Sequence, residues 1–240
     1  MPELPEHGSP KAARILAAAS ELLLGRGSKG VTIADVAARA HIGKGTVYLY
    51  WRTKEDLLLG LICRDFLALA DDVTEAVTAD PGLARPSRLL PHMLRTAARH
   101  PYVNALRTSD AAGLLGALAD DPRSAKLLDT LGPDAMMYDV LPIWRRQNLA
   151  RTDWPLADQA LALQSLITGF LITTVHGRAR LESTAPEQVL AAAVTALLGP
   201  EAATPGQVQT TATEGLRSLA EGRAAALELI TGPPLRSPAR

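Results

Sequence analysis

Apolar residues recur at spacings of three and four through most of this chain, and the strict alternation that marks strands is missing from it. The pattern opens at Ser9-Pro10, an N-cap followed by proline at the first helical position. It predicts a helix to about Gly25 or Gly27, with Ala13, Leu16, Ala17, Ser20, Leu23 and Leu24 on its inner stripe. Thr32 is a good N-cap answered by Asp35 three residues on, and Ile33, Val36, Ala37 and Ala40 then share one face of a short helix. The periodicity breaks at Ala40-His41-Ile42-Gly43, where Gly43 offers backbone freedom for a turn and an N-cap for the next helix. That second short helix is expected from Lys44 to Tyr50 or Trp51. Val47 and Trp51 should pack inward against Ile33, Val36 and Ile42, leaving Lys44, Gly45, Thr46, Tyr48 and Leu49 outside.

The later elements are helices punctuated by proline, glycine and charge. Thr53, with Asp56 at its third position, caps a long helix to about Ala79 that Asp80-Pro81-Gly82 ends. Further helices are predicted from Pro86 to about His100, briefly after Pro101, around Ala111 to Asp120, and from Pro122 to Asn148, with Pro133 and Pro142 breaking the last. Asp153 starts another, to about Arg178, and a capping box at Thr184-Ala185-Pro186-Glu187 begins one that stops at Gly199-Pro200. Residues 202–206 read as a linker, and Glu214 to Ile230 can form an amphipathic helix before Gly232-Pro233-Pro234.

Two short helices around a tight turn, the second exposing a lysine, a threonine and a tyrosine, have the layout of a helix-turn-helix that reads duplex DNA. Small residues at Gly45 and Thr46 let the backbone approach a groove, while Lys44 and the Tyr48 hydroxyl supply donors for phosphates or base edges. Charge agrees with this. The whole chain carries 25 basic and 25 acidic residues, yet residues 9–54 hold eight Lys or Arg against two acids, so a neutral total conceals a basic head on an acidic body.

The run Arg14 to Ala19, then Glu21-Leu22-Leu23, Gly27, Val31-Thr32, Asp35-Val36-Ala37, Ala40, Gly43 to Tyr48 and Lys54 to Leu57 resembles the N-terminal domain of the TetR (tetracycline repressor) family. The likeness covers roughly residues 9–60. His41 stands where that family usually has glycine, Gly43 where serine is common, and Trp51 where phenylalanine is usual. The resemblance implies an all-α protein with a three-helix DNA-binding domain at residues 9–53. A larger helical effector-binding and dimerisation domain comes next at 54–200, then a linker, extra helix and tail at 201–240. By motif position, Thr32, Lys44, Gly45, Thr46, Tyr48, Tyr50 and Lys54 are expected at double-stranded operator DNA, with Thr32 and Lys54 anchoring phosphates at helix N-termini.

Dimerisation is expected through the helices over 153–178 and 184–199. In the first, Leu163, Leu166, Ile167, Phe170, Leu171 and Thr174 form one stripe and Leu161, Thr168, Ile172 and Val175 a second; with Val189, Ala192, Ala193, Ala196 and Leu197 they can build half of a four-helix bundle across a two-fold axis. A small-molecule effector, of a chemistry the sequence does not reveal, would lie among the middle helices. Met93, Tyr102, Met136, Met137, Tyr138, Trp144, Gln164, Thr168 and His176 mix apolar surface with a few polar groups there.

Other chemistries fare badly. His92 and His100 are eight residues apart and His176 is distant, with no HExxH and no cysteine pair, so no metal site is expected. Gly43-Lys44-Gly45-Thr46 lacks the upstream glycine of a phosphate loop, there is no GxSxG elbow, and neither a cofactor nor catalysis is expected. The lone cysteine, Cys63, lies in an apolar run and reads as a buried structural thiol. No signal peptide and no apolar stretch of spanning length is present, which predicts a cytoplasmic protein away from membranes.

Overall fold

A computed structural model describes residues 4–27, 30–105, 136–175 and 185–231, and all regular structure among them is helical. The elements are α1 (Pro5–Gly8), α2 (Pro10–Arg26), α3 (Ile33–Arg39), α4 (Lys44–Tyr50), α5 (Lys54–Ala79), α6 (Pro86–Ala97) and α7 (Pro101–Ala105), then α8 (Leu141–Arg146), α9 (Leu156–Val175), α10 (Pro186–Leu198) and α11 (Pro205–Thr231). A 3₁₀ turn at Pro81–Ala84 joins α5 to α6, and a π turn at Met136–Val140 leads into α8. The elements predicted over 111–120 and the first part of 122–148 lie outside the described residues, as does Thr184. The N-cap of α10 is Ala185, which offers no side-chain bond, with Pro186 next in the chain.

The packed side of α2 differs from the predicted stripe. Ala12, Ile15, Leu16, Ala18, Ala19, Leu22 and Leu23 are buried, whereas Ala13, Ala17 and Leu24 are exposed. Alanine is apolar enough to fit either side of such a helix, so the larger Ile15 and Leu22 set its rotation, two turns apart on one face. Around them close Ile33, Val36 and Ala37 of α3, Val47 of α4, Trp51, and the first half of α5. Within α5 every residue from Leu57 to Cys63 is buried, because α2 to α4 cover one side and α7 and the end of α11 cover the other.

A second core lies farther along. Val73 and Val77 of α5, Leu89 and Leu90 of α6, Leu141 and Trp144 of α8, Leu163 of α9 and Leu190, Val194 and Leu198 of α10 pack together. The Trp144 indole satisfies its buried N–H by donating to the Ala84 carbonyl at 2.9 Å. Leu166, Ile167 and Phe170 of α9 pack against this core, while Leu161 is 70% exposed on the other side of the helix. The side chains of Leu171, Ile172, Thr174 and Val175 lie outside the described residues.

The last helix is longer than its sequence pattern predicts. It starts at Pro205, where Thr204 and Gln207 form a reciprocal cap: Gln207 Oε1 accepts from the Thr204 amide at 2.9 Å and Thr204 Oγ1 accepts from the Gln207 amide at 3.3 Å. Its first half gives Val208 and Ala212 to the second core, and its far end gives Ala226, Leu227 and Ile230 to the first. Arg223 pairs with Asp71 of α5 at 2.7 Å along the way. One helix thus straps both cores to α5.

Candidate nucleic-acid interface

The turn between α3 and α4 is built by capping at both ends. At the start of α3, Thr32 Oγ1 accepts from the Asp35 amide at 3.2 Å while Asp35 Oδ2 accepts from the Thr32 amide at 2.9 Å and hydroxyl at 2.6 Å. These donors, the hydroxyl foremost, hold the Asp35 carboxyl below the usual carboxylate range. At its end, the Ile42 amide donates to the Ala37 carbonyl at 3.0 Å and the His41 amide to Ala38 at 3.1 Å, the paired bonds of a helix that stops in a left-handed residue. That residue is His41, at φ 53°. Gly43, expected to turn the chain, is instead extended at φ −71° and serves only as the N-cap of α4. Histidine carries the bend because the half-buried Ile42 anchors the chain immediately after it.

Core contacts then fix which side of α4 faces outward. Val47 is fully buried and Trp51 nearly so, four residues apart as expected. The opposite side presents Lys44 and Gly45, the half-exposed Thr46, Tyr48 at 43% exposure and Leu49 at 83%. Lys44 Nζ sits 5.8 Å from the centre of the Tyr48 ring, so cation and phenol share one patch. A β-carbon on Gly45 would meet nothing within 4 Å, so the fold itself does not require glycine there. Thr53 and Asp56 form a second capping box that opens α5, placing Lys54 in its first turn.

Two residues expected at DNA have other engagements. The Tyr50 ring is half-buried beside Trp51, and its hydroxyl is 2.6 Å from Ser9 Oγ. The Thr32 hydroxyl is held within its own capping box. Arg39, one of the basic residues of the head, forms an ion pair with Glu21.

The residues expected around an effector divide. Met137 and Trp144 are buried in the second core, Met93 and Met136 pack against it, and Gln164 lies on α9 with a buried Oε1 lacking a hydrogen-bond partner. Thr168 is exposed one turn along, its Oγ1 3.5 Å from Gln164 Nε2. Tyr102 belongs to the first core, its buried hydroxyl beside Ser20 but outside bonding geometry, and burial raises its pKa. Tyr138 points outward at 73% exposure, and His176 lies outside the described residues. Thr204 and Gln207 were the signal missed: a threonine, a proline and a glutamine at capping-box spacing mark the start of a helix inside what reads as a linker.

No helix among the described residues is long and apolar enough to cross a membrane. Residues 15–61 match the model of bacterial regulatory proteins of the tetR family. The HTH-type transcriptional repressor NemR of Escherichia coli (strain K12) is 25% identical over 158 residues, covering 65% of this chain and 79% of NemR. The fatty acid metabolism regulator protein of Bacillus subtilis (strain 168) is 33% identical over 79 residues, 31% of this chain and 41% of that protein. The fold is shared with the fatty acid degradation regulator FadR from Bacillus halodurans, at a TM-score of 0.52 and 17% identity over 82% of this chain and 98% of that one. It is shared too with a structure described as the molecular basis for control of antibiotic production by bacterial hormones, at 0.50 and 24% over 79% and 98%. The helix-turn-helix lies inside that matched segment, so residues 15–61 carry a domain like that of the tetR family of bacterial regulatory proteins, and the chain is a DNA-binding transcriptional regulator.

Proposed function

We propose that this regulator is a ligand-responsive repressor that binds a pseudo-palindromic operator as a homodimer in the cytoplasm, without catalysis of its own. The observation that carries the reading is the outward side of α4, where Lys44, Gly45, Thr46 and Tyr48 form a basic, hydrogen-bonding surface beside an exposed Leu49. Lysine and tyrosine donors suit phosphates and base edges, and a leucine suits a thymine methyl. Lys54 and the first turn of α3 flank this surface as phosphate anchors.

One helix-turn-helix reads few base pairs, and a dimer reads two half-sites one turn of DNA apart, about 34 to 36 Å. The outer sides of α9 and α10 support such a dimer: Leu161 is 70% and Val189 51% exposed, with Ala192 and Ala196 exposed beside them. The effector would enter the second core near Met93, Met137 and Trp144, with Gln164 of α9, whose buried amide oxygen has no hydrogen-bond partner, as a polar contact. It would act by preferring a dimer whose recognition helices no longer match that spacing. An effector with equal affinity for both states would shift nothing.

Selection of bound duplexes from a random pool, with the mass of the complex recorded, tests this reading. Enrichment of an inverted repeat bound by an even number of chains is expected. Enrichment of no sequence at low salt, or of a single half-site bound by one chain, would overturn it.

A further inference from the structure

A closed ring of contacts surrounds the C-terminal end of the recognition helix. Tyr50, the last residue of α4, meets Ser9 Oγ at 2.6 Å, and Ser9 is the N-cap of α2, accepting from the Ala12 amide at 3.3 Å. Glu6 of α1, three residues before Ser9, forms an ion pair with Arg64 of α5, with Arg64 Nη2 donating to Glu6 Oε2 at 2.7 Å. Both side chains are largely withdrawn from solvent, at 14% and 16% exposure. Arg64 Nη1 donates to the Gly60 carbonyl at 2.7 Å, and the indole of Trp51, the residue after Tyr50, lies over that same Gly60. The ring therefore runs from α4 through the N-terminal segment to α5 and back to α4.

We propose that Tyr50 is a positioning residue, whose hydroxyl acts through Ser9 to set the angle of α4 on α5 and does not itself contact the DNA backbone. Burial and direction agree. The phenol ring is half-buried while Tyr48 and Leu49 project outward, and its hydroxyl is bonded toward the protein. Because Glu6 and Arg64 fasten the same segment to α5, the N-terminal residues 4–9 couple the long helix to the end of the reading helix. A small tilt at that end moves every donor on α4, so affinity responds without the loss of a phosphate contact. The inference rests on α4 being the DNA-reading helix.

The test is affinity of the full chain for its selected operator across a range of potassium chloride concentrations, for the parent, Ser9→Ala, Ser9→Thr, Tyr50→Phe and the Ser9→Ala/Tyr50→Phe double variant. A net hydrogen bond corresponds to a loss of about 2- to 10-fold. Tyr50→Phe is expected to lose that much for each chain of the dimer. The double variant should bind as Ser9→Ala alone does, and Ser9→Thr, which keeps the hydroxyl, should bind as the parent does. A phosphate contact at Tyr50 gives the opposite pattern: the loss in Tyr50→Phe persists in the Ser9→Ala background and adds to that of Ser9→Ala. That result, or unchanged affinity in Tyr50→Phe, overturns the proposal while leaving α4 as the reader. Absence of duplex binding by the parent protein overturns both.

Discussion

The indole of Trp51 closes over Gly60 so tightly that a β-carbon built on the glycine would stand 3.2 Å from Trp51 Nε1 and 3.1 Å from Arg64 Nη1. Trp51 is the C-cap of α4 and Gly60 lies in the second turn of α5, so this contact fixes the helix-turn-helix on the long helix. Alanine in mid-helix ordinarily gains about 1 kcal/mol over glycine. Here the arginine is bonded to Glu6 and Gly60 and the tryptophan is buried, so neither gives way easily. Overpacking at about 2 kcal/mol outweighs that gain, so Gly60→Ala is expected to lower stability by about 1 kcal/mol net. Urea unfolding reads it, and a rise in the midpoint would show that Trp51 is not wedged there.

Gly45 gives the reverse case. It is exposed on α4 with open space where a β-carbon would go. Gly45→Ala should raise stability by about 0.5–1 kcal/mol through helix propensity and, on the proposed docking of α4, weaken operator binding, because the added methyl would stand between helix and groove. Unfolding and binding measured on the same preparation check both halves. Stabilisation without loss of affinity would remove Gly45 from the interface.

Much of this architecture was legible because its signals are local. Ser9-Pro10, Thr32 with Asp35, and Thr53 with Asp56 are caps written within four residues, and each one closes as its spacing predicts. Val47 and Trp51 were identifiable as core because a short helix with one valine and one tryptophan has few ways to bury them. The rotation of α2 was not legible, since its alanines allow several stripes and packing against α3, α4 and α5 chooses among them. Nor was the partner of Tyr50, because a hydroxyl's choice between Ser9 and solvent depends on a contact 41 residues away in sequence. The length of α11 was legible in principle from Thr204 and Gln207, but Pro205-Gly206 between them masks the cap as a turn.

His41 holds a left-handed backbone that its β-carbon resists, at a cost of roughly 1–2 kcal/mol. His41→Gly should therefore be neutral or stabilising by up to about 1 kcal/mol, offset by the greater freedom of the unfolded chain. His41→Val should destabilise, as a β-branched residue tolerates that region least. Thermal unfolding should place His41→Gly at or above the parent and His41→Val below it. The reverse order would mean that the imidazole makes contacts outweighing the strain.

His92 makes stability depend on pH. Burial lowers its pKa from the ordinary 6.5, and the cations of Arg95 and Arg99 lower it further. Arg95 can only donate, so at 3.4 Å it requires Nδ1 of His92 to be the acceptor, leaving Nε2–H for Thr96 Oγ1 at 3.4 Å. Protonation breaks that arrangement. With the folded pKa below the unfolded one, the neutral ring's contribution is complete above pH 6.5 and is lost as pH falls through the folded value. The parent should lose stability relative to His92→Gln as pH falls below about 6.5. A difference that stays constant over that range would contradict the assignment.

The most direct test of α4 as the DNA reader is equilibrium binding of the selected operator by Lys44→Ala beside the parent chain, at several salt concentrations, with helicity and mass recorded for both. Lys44 is exposed at the start of the helix and contributes nothing to the core, so fold and assembly should be unchanged. Affinity should fall by about tenfold for each half-site, the worth of one charged hydrogen bond, and the salt slope of the dimer should shrink by about 1.8, roughly 0.9 per chain. Unchanged affinity and slope in a folded variant would contradict the docking of this helix on DNA.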